Sequence, residues 1–165
     1  MPTSPALPQV LASKSDSIYA VTVPVVVIDT NVFVSALRSG DGASRQVIRL
    51  ALQRRLQPLF GNALWTEYSD LLGRDSWGKE TTHAERIEVL AALASVGRWV
   101  RVYFAWRPNL PDEADNHLVE LAVAGGAVAI VTHNVRDLSA GELHFEGIET
   151  LKPAAFLAKF FGDKQ

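Results

Sequence analysis

The strongest constraint on the fold of this chain is the run VPVVVIDT at residues 23–30. It is β-branched and unbroken by polar residues until its end. Such a run fits a strand buried on both faces, as in a parallel sheet covered by helices. Parallel strands need long crossover connections, usually helices, and the rest of the chain supplies them in alternation. Residues 30–38 and 42–55 carry helical spacing, with Val47, Ile48, Ala51 and Leu52 as one stripe. LQPLF at 56–60 reads as a second strand, and Asn62 as the N-cap of the helix ALWTEYSDLL. Residues 82–96 predict an amphipathic helix with Ile87, Leu90, Ala91 and Leu93 on one side. RWVRVYF at 98–104 alternates as a strand. A helix is predicted from about 112–115 through HLVELAVAGG, stopped by Gly125 and Gly126. AVAIVT at 127–132 and IETLK are the last strands, and Pro153 opens the terminal helix AAFLAKFF. The alternation predicts a three-layer α/β/α sandwich around a mostly parallel central sheet of about five strands.

The chain has 165 residues, a length suited to one domain. A hydrophobic share of 48% with 21% charged residues is that of a globular protein. No apolar run approaches the roughly 18 residues of a membrane helix. The absence of cysteine excludes a disulfide scaffold, a thiolate metal site and a thiol nucleophile, and fits a reducing compartment; the cytoplasm is the expected location. Residues 1–20 carry Pro2, Pro5 and Pro8 among Ser and Thr and show no periodicity. They read as a disordered tail without the charged start and apolar core of a secretory signal, with one domain over residues 21–165. The formal net charge of -2 lacks the basic footprint of a nucleic-acid binder.

In an open parallel sheet, ligands bind outside the carboxyl ends of the strands, so the polar residues there carry the information. Asp29 directly follows the first strand, in Asp29-Thr30-Asn31. Asp112, Glu113 and Asp115 follow the strand at 98–104, and Asn134 and Asp137 follow AVAIVT. Glu67 lies on the helix that packs near the same edge. Four acidic segments distant in sequence thus converge. Like charges held together need neutralisation, and oxygen ligands without Cys or paired His select hard cations such as magnesium or manganese. Two such ions stabilise the attacking water and leaving oxygen of phosphodiester cleavage. The chemistry points to metal-dependent phosphoryl-transfer hydrolysis.

The segments VVVIDTNVFVSAL, LWTEYSDLL and LPDEADNHLVELAVAGGAVAIVTHNVRDL together resemble the PIN-domain family of ribonucleases, over about residues 23–160. The order of elements and the two-part signature, Asp-Thr-Asn then Thr-x-Asn-x-x-Asp, carry the resemblance. Within the family the chain is most similar to stand-alone bacterial members, many of them toxins of toxin–antitoxin pairs. The resemblance implies a quartet binding one or two Mg2+ or Mn2+ ions: Asp29, Glu67, Asp115 and Asp137. Thr30, Asn31, Thr132 and Asn134 match its supporting polar groups. Many relatives have an acid where Asn134 stands, so the fourth carboxylate falls to Asp137 and a weaker second metal site is implied. Asp115 is preferred over Asp112 because it keeps the spacing to the apolar run from Leu118; Asp112 is read as an outer or capping residue.

The implied activity is endoribonuclease cleavage of RNA by water attacking phosphorus in line, without a protein nucleophile. An antitoxin partner and a homodimer are implied in the same way. Arg38 and Arg136 stand near enough to the proposed site to contact phosphate. His83, His117, His133 and His144 lack i, i+4 pairing and read as surface residues, with His117 and His133 flanking the cleft. Trp65, Trp77, Trp99 and Trp106 read as packing residues before base-stacking ones.

Competing classes fit less well. A phosphatase of similar fold needs an acid at Asn31, and a receiver domain needs a paired acid and a late lysine. A non-catalytic RNA-binding or scaffold module, and a nuclease unlinked to an antitoxin, remain as alternatives. Two divalent ions would turn the charge of -2 into about +2, concentrated at the cleft.

Overall fold

Val26, Val27 and Ile28 are successive strand residues whose side chains alternate between the two faces of a sheet. All three are at most 2% exposed, so both faces are covered. In the computed structural model, which describes residues 22–39, 42–74, 77–102, 115–139 and 145–162, they belong to β1 (Val25–Ile28). The chain continues through α1 (Thr30–Arg38), α2 (Ala43–Leu52), β2 (Gln57–Phe60), α3 (Asn62–Leu72), α4 (His83–Val96) and β3 (Arg98–Trp99). It ends with α5 (Asn116–Gly125), β4 (Ala129–Val131), α6 (Val135–Ser139), β5 (Glu149–Leu151) and α7 (Pro153–Phe161).

The sheet order is β3-β2-β1-β4-β5, and every pairing is parallel. This is the α/β architecture the alternation predicts. Winding runs from β1 toward β2 and β3, then returns across the sheet to β4 and β5. Right-handed crossovers therefore put α1–α4 on one face and α5–α6 on the other. The direction changes between β1 and β4. That is the switch point where crevices form in doubly wound sheets.

Several elements differ from the sequence reading for identifiable reasons. Gly61, not Asn62, is the N-cap of α3, and Asn62 is its first helical residue. On α4 the buried residues are Arg86, Leu90 and Leu93, while Ile87 is 45% exposed and Ala91 also faces outward. The face turns because the Arg86 guanidinium lies 4.9 Å over the Trp77 ring and donates to Thr81 O at 2.7 Å. Cation–π contact and a carbonyl replace an apolar side chain there. That helix opens on a capping box between Thr82 and Glu85, a Thr-x-x-Glu signature visible in the sequence. On α2 the stripe takes in Leu50 and leaves Leu52 36% exposed. Regular pairing of β3 ends at Trp99, short of the predicted 98–104 strand. The proposed tail at 1–20, residues 103–104, Trp106, Asp112, Glu113 and His144 lie outside the described residues. Gly126 closes α5 in the left-handed conformation (φ 68°), which glycine adopts without steric cost.

Candidate active site

Asp29 follows β1 directly and occupies the N-cap position of α1, yet its side chain makes no capping bond. Thr132 Oγ1, just beyond β4, donates to Asp29 Oδ2 at 2.7 Å, and Thr30 Oγ1 lies 3.4 Å from Oδ1. The residue is 5% exposed. Burial raises its pKa above the ordinary 3.8; the Thr132 hydrogen bond opposes that push and the charge of Glu67 adds to it. An aspartate spent on capping would accept from the backbone N–H of the second or third helical residue. This one faces a second carboxylate.

Glu67 reaches that position through its neighbour on α3. Tyr68 is buried, and its hydroxyl donates to Ile28 O at 2.8 Å, tying α3 to the last residue of β1. Its ring meets Phe33 edge-on with centroids 5.2 Å apart. Burial pushes the phenol well above its ordinary value. Thr30 Oγ1 lies 3.3 Å from Glu67 Oε1 as well as near Asp29. One hydroxyl carries one proton, so it satisfies one carboxylate at a time. The other oxygen, Oε2, lies 2.9 Å from His117 Nε2 on α5. That hydrogen bond, outweighing burial, holds Glu67 below its ordinary 4.5.

A polar lattice fixes the loop beyond β4. Thr132, fully buried, gives its proton to Asp29 and accepts from Asn31 Nδ2 at 3.4 Å and the Asn134 backbone N–H at 3.0 Å. Asn31 Oδ1 in turn accepts from the His133 N–H at 3.3 Å. His133 Nε2 lies 3.0 Å from Ser44 Oγ. Asn31 thus stitches the β1 and β4 loops together, and Asn134 contributes through its backbone.

Asp115 is half-buried at the head of α5, the helix that carries His117 onto Glu67. Asp137 is exposed on α6, with no hydrogen bond or ion pair to the described residues. Arg136 is also exposed on α6. Arg38 ends α1, its guanidinium 6.0 Å from the Trp77 ring centroid. With Arg74, Thr30, Asn31 and Glu67 it lines a cleft of about 310 Å3. Tyr68 and Arg74 escaped the sequence reading, and His117, read there as a surface residue flanking the cleft, is instead part-buried against Glu67. The available signal for His117 was the polar first turn, Asn116-His117, of an otherwise apolar helix beginning at the ligand-binding edge of the sheet.

Among the described residues no three His, Asp or Glu side chains stand close enough to hold a metal ion. The donor set present is a carboxylate pair around a shared hydroxyl. Asp29 is the informative member, because its burial beside a second acid disfavours its own ionisation. A hard cation would remove that penalty. Magnesium is commonly held by only one or two carboxylates, with waters and substrate phosphate completing its shell. Asp29 and Glu67 fit that minimum.

An all-parallel α/β sheet with acids at its switch point defines the class. The chain belongs to the PIN-domain family, whose model matches residues 25–136. Among solved structures it is similar to a chain of VapBC2 from Rickettsia felis, determined bound to a DNA fragment from their promoter. The TM-score is 0.55 at 12% identity, covering 78% of this chain and 99% of that one. No curated protein matches it in sequence.

Proposed function

We propose that this chain is a magnesium- or manganese-dependent endoribonuclease and the toxin member of a toxin–antitoxin pair. The observation that carries the reading is the buried Asp29 carboxylate, uncapped and facing Glu67 across Thr30. Membership of the PIN family, generally nucleases, supports the reaction class. The VapBC2 likeness supports the antitoxin partner.

Asp29 and Glu67 would hold the ion, with Asp115 and Asp137 as outer members of the quartet. Such an ion supplies charge neutralisation at phosphate and a more acidic water. The chain's own part is orientation. Thr132 fixes the Asp29 carboxylate, His117 fixes that of Glu67, and Asn31 keeps the two loops in register. Arg38 and Arg74, which line the cleft, offer positive charge to the RNA backbone, and exposed Arg136 on α6 adds to it.

The test is cleavage of a mixed RNA pool with EDTA, Mg2+ or Mn2+, by the parent and by Asp29→Asn. Metal-dependent cutting lost in the variant is expected. Cutting in EDTA, or an unimpaired variant, overturns the mechanism. Co-purification with the product of an adjacent small reading frame, with suppression of cleavage, tests the antitoxin assignment.

A further inference from the structure

The carboxyl edge of the sheet has a second half. The acid pair stands over the ends of β1 and β4. Beyond it, over the ends of β2 and β3, lies a cavity of about 600 Å3, a volume in the range of small-molecule sites. His117 joins the two halves, since it lines this cavity while its Nε2 holds Glu67. Whatever fills the cavity lies one side chain from the acid pair.

Three polar side chains line it: Asn62, Arg101 and Glu120, beside the apolar Leu64 and Leu121. None of the three makes a side-chain hydrogen bond or ion pair with the described residues, and Arg101 and Glu120 are not paired with each other. Asn62 has its amide free because Gly61 takes the cap position. A carboxylate, a guanidinium and an amide around one cavity with apolar walls define what fits. The carboxylate asks for adjacent N–H donors, the guanidinium for adjacent acceptors, and the apolar walls for a flat ring. Guanine alone among the RNA bases offers both pairs, N1–H with N2–H2 and O6 with N7. Adenine lacks the ring N–H, and each pyrimidine presents a single polar edge. RNA read by sequence is held in this way, with splayed bases bonded along their edges.

We propose that this cavity seats a guanine of the RNA strand next to the phosphate being cleaved. Glu120 accepts from its N1–H and N2–H2, Arg101 donates to O6 and N7, and Asn62 bonds the remaining edge. The inference rests on the ribonuclease reading. It adds a base preference, which the carboxylate pair cannot supply.

Binding without cutting is measured by fluorescence anisotropy on Asp29→Asn. The probes are short RNA oligomers with one guanine, and the same oligomers with inosine or adenine in its place. Inosine lacks only the N2 amino group. The guanine oligomer should bind roughly tenfold tighter than either, as one bidentate pair provides. In the double variants Asp29→Asn with Glu120→Gln, and Asp29→Asn with Arg101→Ala, that preference should disappear. Asp29→Asn with Glu88→Ala, on the exposed face of α4, should keep it. On the otherwise native chain, mapped cleavage sites should cluster beside guanines and lose that bias with Glu120→Gln. RNA bound and cut with no change on replacing guanine overturns the cavity assignment alone. RNA neither bound nor cut overturns the ribonuclease reading and the cavity assignment with it.

Discussion

Asp29 and Glu67 flank one hydroxyl, yet the fold treats them in opposite ways. Asp29 lies at the floor, between the ends of β1 and β4, where burial raises its pKa. Glu67 lies at the rim on α3, where the His117 hydrogen bond lowers its pKa. Two acids pushed apart by their surroundings mark a site with divided roles. The floor acid is strained when ionised and gains most from a cation. The rim acid is already compensated by the protein.

The largest break in this comparison is Asp29→Asn. RNA cleavage should fall by about 1,000-fold or more, the loss of several kcal/mol of charge stabilisation. Stability should move the other way. A carboxyl group whose folded pKa is raised favours the fold at low pH, and that contribution is lost as pH rises through the folded value. Without metal at pH 7, Asp29→Asn should therefore melt above the parent, and the gap should close as pH falls below about 3.8, the ordinary value. Glu67 has the opposite sign. Its contribution is present above its unfolded value of about 4.5 and lost as pH falls through the depressed folded value. Glu67→Gln should melt below the parent at pH 7 and converge with it in acid. Thermal melts by circular dichroism in EDTA, across pH 3–7, check both.

Next in size comes Thr132→Val, which removes the donor to Asp29 and the acceptor for Asn31 and Asn134. Orphaning the buried Asp29 oxygen, together with the two part-buried donors, should cost about 1–3 kcal/mol in denaturant melts. Manganese affinity should fall about 10- to 100-fold by calorimetry, as for groups that orient metal ligands. His117→Ala tests the rim in the same way. Manganese affinity should drop by about tenfold, and His117→Gln, which can place an N–H on Glu67, should restore most of it. Equal loss in both variants would deny His117 its positioning role.

The floor was legible in the sequence and the rim was not. Asp29 is announced by its neighbours in the chain: a buried strand must end somewhere, and a polar Asp-Thr-Asn at that end faces the crevice. Thr132 and Asn134 follow β4 by the same logic. Glu67 sits mid-helix, with nothing local to separate it from a solvated glutamate. Its placement depends on Tyr68 reaching Ile28 O and on His117 arriving from α5, contacts across 40 and 50 residues. The α4 face was misread for a related reason. Periodicity counts apolar residues, while the buried position went to Arg86 over Trp77. The family resemblance supplied Glu67, and only packing shows what holds it.

The smallest expected effect separates side chain from backbone. Asn134 belongs to the signature after β4, so a side-chain role would make Asn134→Ala costly. In the structure its backbone N–H bonds Thr132 Oγ1 at 3.0 Å, while the residue itself is exposed. Alanine keeps that N–H. The substitution should change stability by no more than about 0.5 kcal/mol, as exposed substitutions do. Cleavage should change by less than about twofold, which corresponds to about 0.4 kcal/mol of barrier. Asn134→Pro removes the N–H itself and should cost about 1 kcal/mol or more from that bond alone. If alanine instead proved as damaging as Thr132→Val, the Asn134 amide would have to reach the metal or the phosphate, and the division between a hydrogen-bonded floor and a solvent-facing rim would need redrawing.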